Sequence, residues 1–235
     1  MKRVEAKPGE SLDIELDADI LRANRELAER NRERLRARGV TAIDVMGSTG
    51  SGKTTLIEQM VEKLRKTRKV AAIDGDLTTT IDADKIARHG VEVVQINTGK
   101  ECHLDAQLVS RALDELHVEG LDVLFIENVG NLICPSEFPL GSEKRVVVIS
   151  VTEGPYTVVK HPYMFMNADV VVINKVDLAE AMEVDPEKLE RDIHAVNPRA
   201  KVVRTVARKS QGVEDILQAL GLSATPASVG KSAPR

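Results

Sequence analysis

The chain has 235 residues, 42% hydrophobic and 30% charged, with a formal net charge of −4; that fits one sizeable domain with additions at its ends, or at most two small domains. Aromatic residues make up only 2% and Trp is absent, so the core must rest on Val, Ile, Leu and Ala. The acidic balance removes any global pull toward nucleic acid or an anionic membrane, no apolar run is long enough to span a bilayer, and MKRVEAKPGE lacks an apolar signal region.

Residues 1–40 read as an N-terminal extension. Within it, DADILRANRELAERNRERLRAR, residues 17–38, places Ile20, Leu21, Ala23, Leu27, Ala28 and Leu35 mostly at helical spacing. Asp17 or Asp19 is the expected cap, and Gly39 the stop. Acids interleaved with the arginines predict a solvated amphipathic helix packed on the body of the domain, and not an RNA-binding arm. From Thr41 to residue 221 the pattern is strand, loop, helix, repeated. TAIDVM is a strand, followed by a Gly-rich loop and a helix over residues 53–66. KVAAID, VEVVQI, LDVLFIE, RVVVISV, ADVVVINK and AKVVRTV are further strands, with helices over residues 83–89 and 104–116 and a last helix near Leu220. These strands are apolar along their length instead of alternating, as strands covered on both faces are. The prediction is an α/β fold with a doubly wound, mostly parallel sheet. Residues 222–235 are small, polar and Pro-containing, and are expected to be a disordered tail.

GSTGSGKT, Gly47 to Thr54, matches GxxxxGK[ST] between a strand and a helix, which is the context this phosphate loop requires. Gly47, Gly50 and Gly52 let the backbone, with Ser48 and Ser51, curl its N–H groups around phosphates. The helix start through Thr55 adds its dipole. Lys53 is placed to reach the β- and γ-phosphates, and Thr54 to coordinate Mg²⁺. Glu127 ends LDVLFIE where a Walker-B carboxylate would sit, with Gly130 three residues on. With Asp76 and Asp82 it is assigned to the magnesium environment; Asp74 and Asp84 lie nearby in sequence. Lys53, Thr54 and Glu127 form the expected catalytic group. No Gln or Arg finger stands in a fixed place, which predicts slow intrinsic turnover completed by a second subunit or a partner.

Asn174-Lys175-Val176-Asp177 falls at the end of an apolar strand, where ligands of open α/β sheets bind. Asp177 can accept both N1–H and N2–H₂ of guanine, a donor pair adenine lacks. Asn174 can support the loop, the Lys175 stem can lie along the base, and the Ala207 N–H is offered to guanine O6. Behind a phosphate loop, this tetrapeptide reads as GTP/GDP binding over residues 41–221, the P-loop GTPase domain.

Only two cysteines occur, and with no export signal they predict a reducing cytoplasm and no disulfide framework. Cys102 stands beside His103 in NTGKECHLDAQ, and Cys134 follows the Walker-B strand in GNLICPSEF. Adjacent Cys102 and His103 give one chain at most two ligands there, with Cys134 a fifth or alternative ligand from a neighbouring loop, whereas zinc in a closed site wants four and nickel also takes thiolate and imidazole. A two-fold axis through the loop would pool two Cys and two His. His89, His117, His161 and His194 are scattered and read as surface residues.

GSTGSGKTTLIE, QINTGKECHLDAQLV, LFIENVGNLICPSEFPLG and VVINKVDLA, in this order, closely resemble the HypB family, the nickel-insertion GTPases of NiFe-hydrogenase maturation. The resemblance runs from about Ile20 to Leu220. CHLDA and ENVGNLICP are specific to that family; the phosphate loop and NKxD are not. The resemblance implies a SIMIBI-class GTPase and a homodimer formed with GTP. It implies Ni²⁺, or Zn²⁺ at the same site, on Cys102, His103 and Cys134 at the interface. It also implies a HypA-like zinc metallochaperone as partner and a hydrogenase large-subunit precursor as recipient. The N-terminal cysteine motif and His-rich storage tract of some members do not occur in the chain, and Glu101 stands where many members carry Gly. The related urease-serving GTPases carry Cys-Pro-His where this chain has Cys-His-Leu-Asp. A metal-storage or metal-sensing protein with a vestigial nucleotide site would not need intact Lys53, Thr54, Glu127 and Asp177. A small-molecule kinase would need an acceptor site, and none is legible.

Overall fold

The structure, a computed structural model, describes residues 14–76, 79–99 and 101–223, with side chains from residue 19. Residues 1–13, and the tail apart from residues 222–223, lie outside the described residues. The elements run α1 (Ile14–Arg36), β1 (Thr41–Gly47), α2 (Lys53–Leu64), β2 (Val70–Asp76), α3 (Ile81–Ala87), β3 (Glu92–Asn97), α4 (Ala106–Glu115) and β4 (Val123–Glu127). They continue through β5 (Lys144–Ser150), α5 (Thr157–Lys160), α6 (Pro162–Phe165), β6 (Val170–Asn174), α7 (Pro186–Val196), β7 (Lys201–Arg204) and α8 (Val213–Ala219).

All seven strands are parallel, in the order β3-β2-β4-β1-β5-β6-β7. Side chains of a strand alternate between its faces, and both faces are covered. Ile43 and Val45 of β1 join Val123 and Phe125 of β4 under Leu56, Ile57 and Met60 of α2 and Ile216 of α8. Ala42, Leu124 and Ile126 meet Leu35 of α1 and Val109 and Leu113 of α4 on the other face. Beside them, Val147, Ile149 and Val171 pack on Phe165, Leu189 and Ile193 of α6 and α7. This is the predicted doubly wound sheet. The edge strands depart from the uniform burial expected: β3 and β7 are half-covered, with Glu92, Asn97, Lys201 and Arg204 exposed. An edge strand has a neighbour on one side only, so its ends meet water.

Three local expectations change. Helix α1 begins at Ile14, so Asp17 and Asp19 lie inside it and neither caps it. Helix α4 begins at Ala106, two residues later than expected, because the Asp105 carboxylate accepts the Leu108 N–H at 2.7 Å and fixes the first turn there. Between β6 and β7 the chain forms α7, opened by Asp185 as cap and Pro186 at its first position. Among the described residues no helix is long and apolar enough to cross a membrane.

Helix α1 does more than shield apolar surface. Asn31 is buried and its Nδ2 donates to Ala106 O at 2.8 Å and Leu140 O at 3.1 Å. Asn24 accepts the Ala106 N–H at 2.8 Å and donates to Pro139 O at 2.9 Å. Both polar groups of the first α4 residue are therefore held by α1, three residues beyond His103.

Candidate functional site

The C-terminal ends of β1, β2 and β4 open on a cleft of about 510 Å³ lined by Gly50, Gly52, Lys53, Thr54, Thr55, Asp74, Asp76, Asp82, Lys85, Glu127 and Lys175. Gly47 leaves β1 with φ 150° and a Cβ there would run into the Val148 carbonyl of β5. Gly52 has φ 103°, and a Cβ there would strike the Asn174 amide. Only Gly tolerates both demands. Ser48 is held by Glu153, its Oγ donating to Oε1 at 2.6 Å. Ser51 is buried. Lys53 is buried, and its Nζ donates to Ser48 O at 3.2 Å.

The carboxylates converge from two strands. Asp74 of β2 is in register with Glu127 of β4. Thr54 Oγ1 donates to Glu127 Oε1 at 2.8 Å, while Glu127 Oε2 and Asp74 Oδ2 are buried without a partner. Burial pushes Glu127 up to about 8; neighbouring Asp74 adds to the rise, and Lys53 opposes it. Burial also pushes Asp74 up to about 7, with Asp82 and Asp76 adding to it. Two carboxyls raised this far carry a charge that a bound cation could offset. Asp76 accepts from Thr79 Oγ1 at 3.0 Å, and Asp82 pairs with Lys85 at 2.7 Å.

The tetrapeptide Asn174–Asp177 is tied to the phosphate loop. Asn174 Nδ2 donates to Ser51 O at 2.8 Å. Its Oδ1 accepts from Lys175 N at 2.8 Å, Thr205 Oγ1 at 3.0 Å and Ala207 N at 3.1 Å. The Ala207 N–H that the sequence offered to guanine is thus already given to Asn174, so a base contact there would have to share it. Lys175 takes φ 60° and its Nζ reaches Gly50 O at 2.7 Å. Asp177 pairs with Lys209 at 3.1 Å.

Cys102, His103 and Cys134 come together with one ligand atom from each lying within 4.8 Å of the others. The two Sγ atoms are 3.0 Å apart and Cys102 Sγ is 3.8 Å from His103 Nδ1. The His103 ring stacks on Phe138, centroids 3.9 Å apart. Burial holds His103 below its ordinary value against the nearby charges of Glu101, Asp105 and Glu137, which favours the neutral, ligating imidazole. The Cys134 thiol is pushed up by its contact with Cys102 and by burial. Thiolate ligands require proton loss, which a bound cation drives. Among the other histidines His89 differs from the expected surface role: its Nδ1 lies 2.9 Å from Glu62 and its Nε2 3.6 Å from Glu58.

Sequence reasoning left several cleft residues unassigned. Asp74 was legible in principle, as an acid ending an apolar strand like Glu127; its register opposite Glu127 was not. Lys85 enters the cleft through the α3 turn that carries Asp82. Asp44 is fully buried in β1, pushed up to about 6 by that burial, with Arg145 opposing. Its apolar strand gave no sign of a polar partner. That partner is Asn128, whose Nδ2 lies 3.3 Å from Asp44 Oδ1.

Residues 41–204 match the family described as CobW/HypB/UreG, nucleotide-binding domain. The chain is similar to the probable hydrogenase maturation factor HypB of Methanocaldococcus jannaschii, 49% identical over 205 residues that cover 87% of this chain and 93% of that protein. Among solved structures, HypB from Archaeoglobus fulgidus aligns with a TM-score of 0.80 and 46% identity, covering 85% of this chain and 98% of that one. HypB from Helicobacter pylori, solved in complex with nickel, aligns with a TM-score of 0.80 and 37% identity, covering 84% and 93%.

Proposed function

Because the chain belongs to the CobW/HypB/UreG family, and within it to the HypB hydrogenase maturation factors, we propose that it is a GTP-hydrolysing metallochaperone whose cargo is nickel. The observation that carries this reading is the convergence of Cys102, His103 and Cys134 on one point, with six residues of chain between Cys134 and the cleft carboxylate Glu127. Two thiolates and a neutral imidazole are a donor set that suits nickel, and zinc competes for it. Three donors leave a coordination position to fill, which a second copy of the chain meeting it across a two-fold axis would supply.

The phosphates of GTP would lie over the backbone N–H groups of Gly47–Thr54, with Lys53 turning from Ser48 O to the β- and γ-phosphates. The orphaned buried oxygens of Glu127 and Asp74 fit Mg²⁺, held with Thr54 and, at the cleft mouth, Asp76 and Asp82. When bound, that ion neutralises charge on the β- and γ-phosphates. Asp177 selects guanine. Catalysis of this kind is positioning and electrostatics, and among the described residues of this one chain no Gln or Arg is seen to reach the cleft. Turnover is therefore slow in the monomer and completed by a second subunit, and hydrolysis reopens the metal site toward its recipient. A HypA-like zinc metallochaperone and a hydrogenase large-subunit precursor are the partners in this reading.

Sedimentation of the purified chain tests it, with GDP or a non-hydrolysable GTP analogue, each with and without Ni²⁺, and with Cys102→Ala alongside. Mass should double with the analogue, and bound nickel should vanish in the variant. A monomer under all conditions, with nickel binding indifferent to Cys102, would leave a plain GTPase.

A further inference from the structure

Two residues outside both ligand sets join them. Asn128 follows the cleft carboxylate Glu127, and its side chain is buried with every polar atom used. Oδ1 accepts the Leu104 N–H at 3.1 Å and the Val129 N–H at 3.0 Å. Nδ2 faces Asp44 Oδ1 at 3.3 Å, and since the two backbone N–H groups at Oδ1 can only donate, they fix which way the amide points. Gly75 lies between the cleft carboxylates Asp74 and Asp76. A Cβ at Gly75 would stand 2.8 Å from Leu104 Cδ1 and Cγ and 2.9 Å from Cδ2. Leu104 itself is fully buried and is the residue after His103. One residue is therefore gripped by its N–H from β4 and by its side chain from β2, at positions adjacent to the acids of the phosphate cleft.

Resting on the switch reading above, we propose that Asn128 and Gly75 are positioning residues that clamp Leu104, so that occupancy of the phosphate cleft sets the geometry of the Cys102–His103 loop. A shift of Glu127 or of the 74–76 segment on loading the cleft cannot be absorbed locally. The interior around Leu104 is close-packed, and packed elements move by discrete steps. The loop's far side is anchored separately, Ala106 by α1, so motion of Leu104 falls on the two ligand residues before it. Asn131 adds a longer bond from Nδ2 to Cys102 O, 3.4 Å, from the same β4 exit.

Nickel affinity, measured by competition with a chromophoric chelator, tests the clamp. Wild type, Asn128→Ala and Gly75→Ala would each be titrated without nucleotide, with Mg²⁺–GDP and with Mg²⁺ and a non-hydrolysable GTP analogue. Wild-type affinity should differ between the two nucleotide states by about 5- to 150-fold, the usual span of coupling between sites. In the variants that ratio should collapse toward one, whatever change the displaced Leu104 brings to the nucleotide-free nickel affinity itself. A ratio kept at the wild-type value in the variants overturns the clamp. So does an equal fall of nickel affinity in all three states, which would mark a role confined to holding the loop. If wild type itself has one nickel affinity in every state, the nucleotide switch fails, and the clamp with it. Should Asn128→Ala melt below the assay temperature, Gly75→Ala decides alone, since that backbone accepts Ala and the three atoms nearest the new Cβ all belong to Leu104.

Discussion

At the scale of single residues, the thiol pair is held by geometry that a lone donor cannot replace. Cys134 Sγ lies 3.0 Å from Cys102 Sγ, and in the proposed nickel site the loss of one of three protein donors would open a coordination position to water. Loss of a residue supporting a ligand already costs about 10- to 100-fold in metal affinity, so Cys134→Ser should weaken nickel binding by more than about 100-fold, the upper end of that range. Chelator competition measures it, and an affinity within a few-fold of wild type would remove Cys134 from the ligand set. Lys53 and Thr54 could be singled out because local spacing in the phosphate loop carries them, and the structure sets both in the cleft; Asp177, singled out by its tetrapeptide, pairs with Lys209. Asn128, Asp44 and the register of Asp74 opposite Glu127 were not legible, because they arise from strand pairing and from packing between residues 24 to 84 apart in sequence. A carboxylate in TAIDVM or KVAAID looks alike whether it faces solvent or, as the structure has it, an amide or an orphaned partner.

At the scale of elements, the helices were readable where a cap or a breaker is local and misplaced where a neighbour decides. Helix α2 starts at Lys53 as the phosphate loop requires, whereas α4 starts later because Asp105 caps it and α1 grips Ala106. That grip is a testable source of stability. Asn31→Ala leaves the Ala106 and Leu140 carbonyls buried without their donor, which should cost about 1–3 kcal/mol. Urea unfolding should register it as a lower midpoint with an unchanged slope; a midpoint shift equivalent to a few tenths of a kcal/mol would show that water replaces the amide. The junction of the phosphate loop with β6 gives a second test. Gly52→Ala forces a Cβ into the Asn174 amide at φ 103°, and such strain costs about 1–3 kcal/mol. Because Asn174 also carries Ala207 and Thr205, the variant should lose guanine-nucleotide affinity together with thermal stability. Stability lost with nucleotide affinity intact would separate the two loops.

At the scale of the whole molecule, seven parallel strands of Val and Ile made the architecture legible, since a run that is apolar on both faces has few other homes. The edges escaped, because nothing inside VEVVQI or AKVVRTV says that no strand lies beyond it. The interior also holds three carboxyls that the pattern of apolar runs hides: Asp44 pushed up to about 6, Asp74 to about 7 and Glu127 to about 8. Their effect on folding has a definite sign. Between its ordinary value and its raised one, each group keeps a proton in the folded chain that the unfolded chain has released, so stability falls as pH rises. The window runs from about pH 5 to about pH 8; Glu153, raised by burial, and His117, raised by Glu92, add to the fall, while His103, lowered by burial from its ordinary 6.5, opposes it below that value, and Glu62, lowered to about 2, acts only below its ordinary value of 4.5. The melting temperature of the chain free of metal and nucleotide should therefore drop steadily across that window and level off above it. Mg²⁺ with GTP should flatten or reverse the slope, because the cation binds the deprotonated carboxylates and so draws the protons off. An Asp74→Asn, Glu127→Gln double variant, neutral at both positions at every pH, should flatten the metal-free slope above about pH 6, where Asp44 no longer contributes. If its melting temperature falls with pH as steeply as that of wild type, the protons lie elsewhere, and the two orphaned oxygens facing the cleft are not the source of the pH dependence.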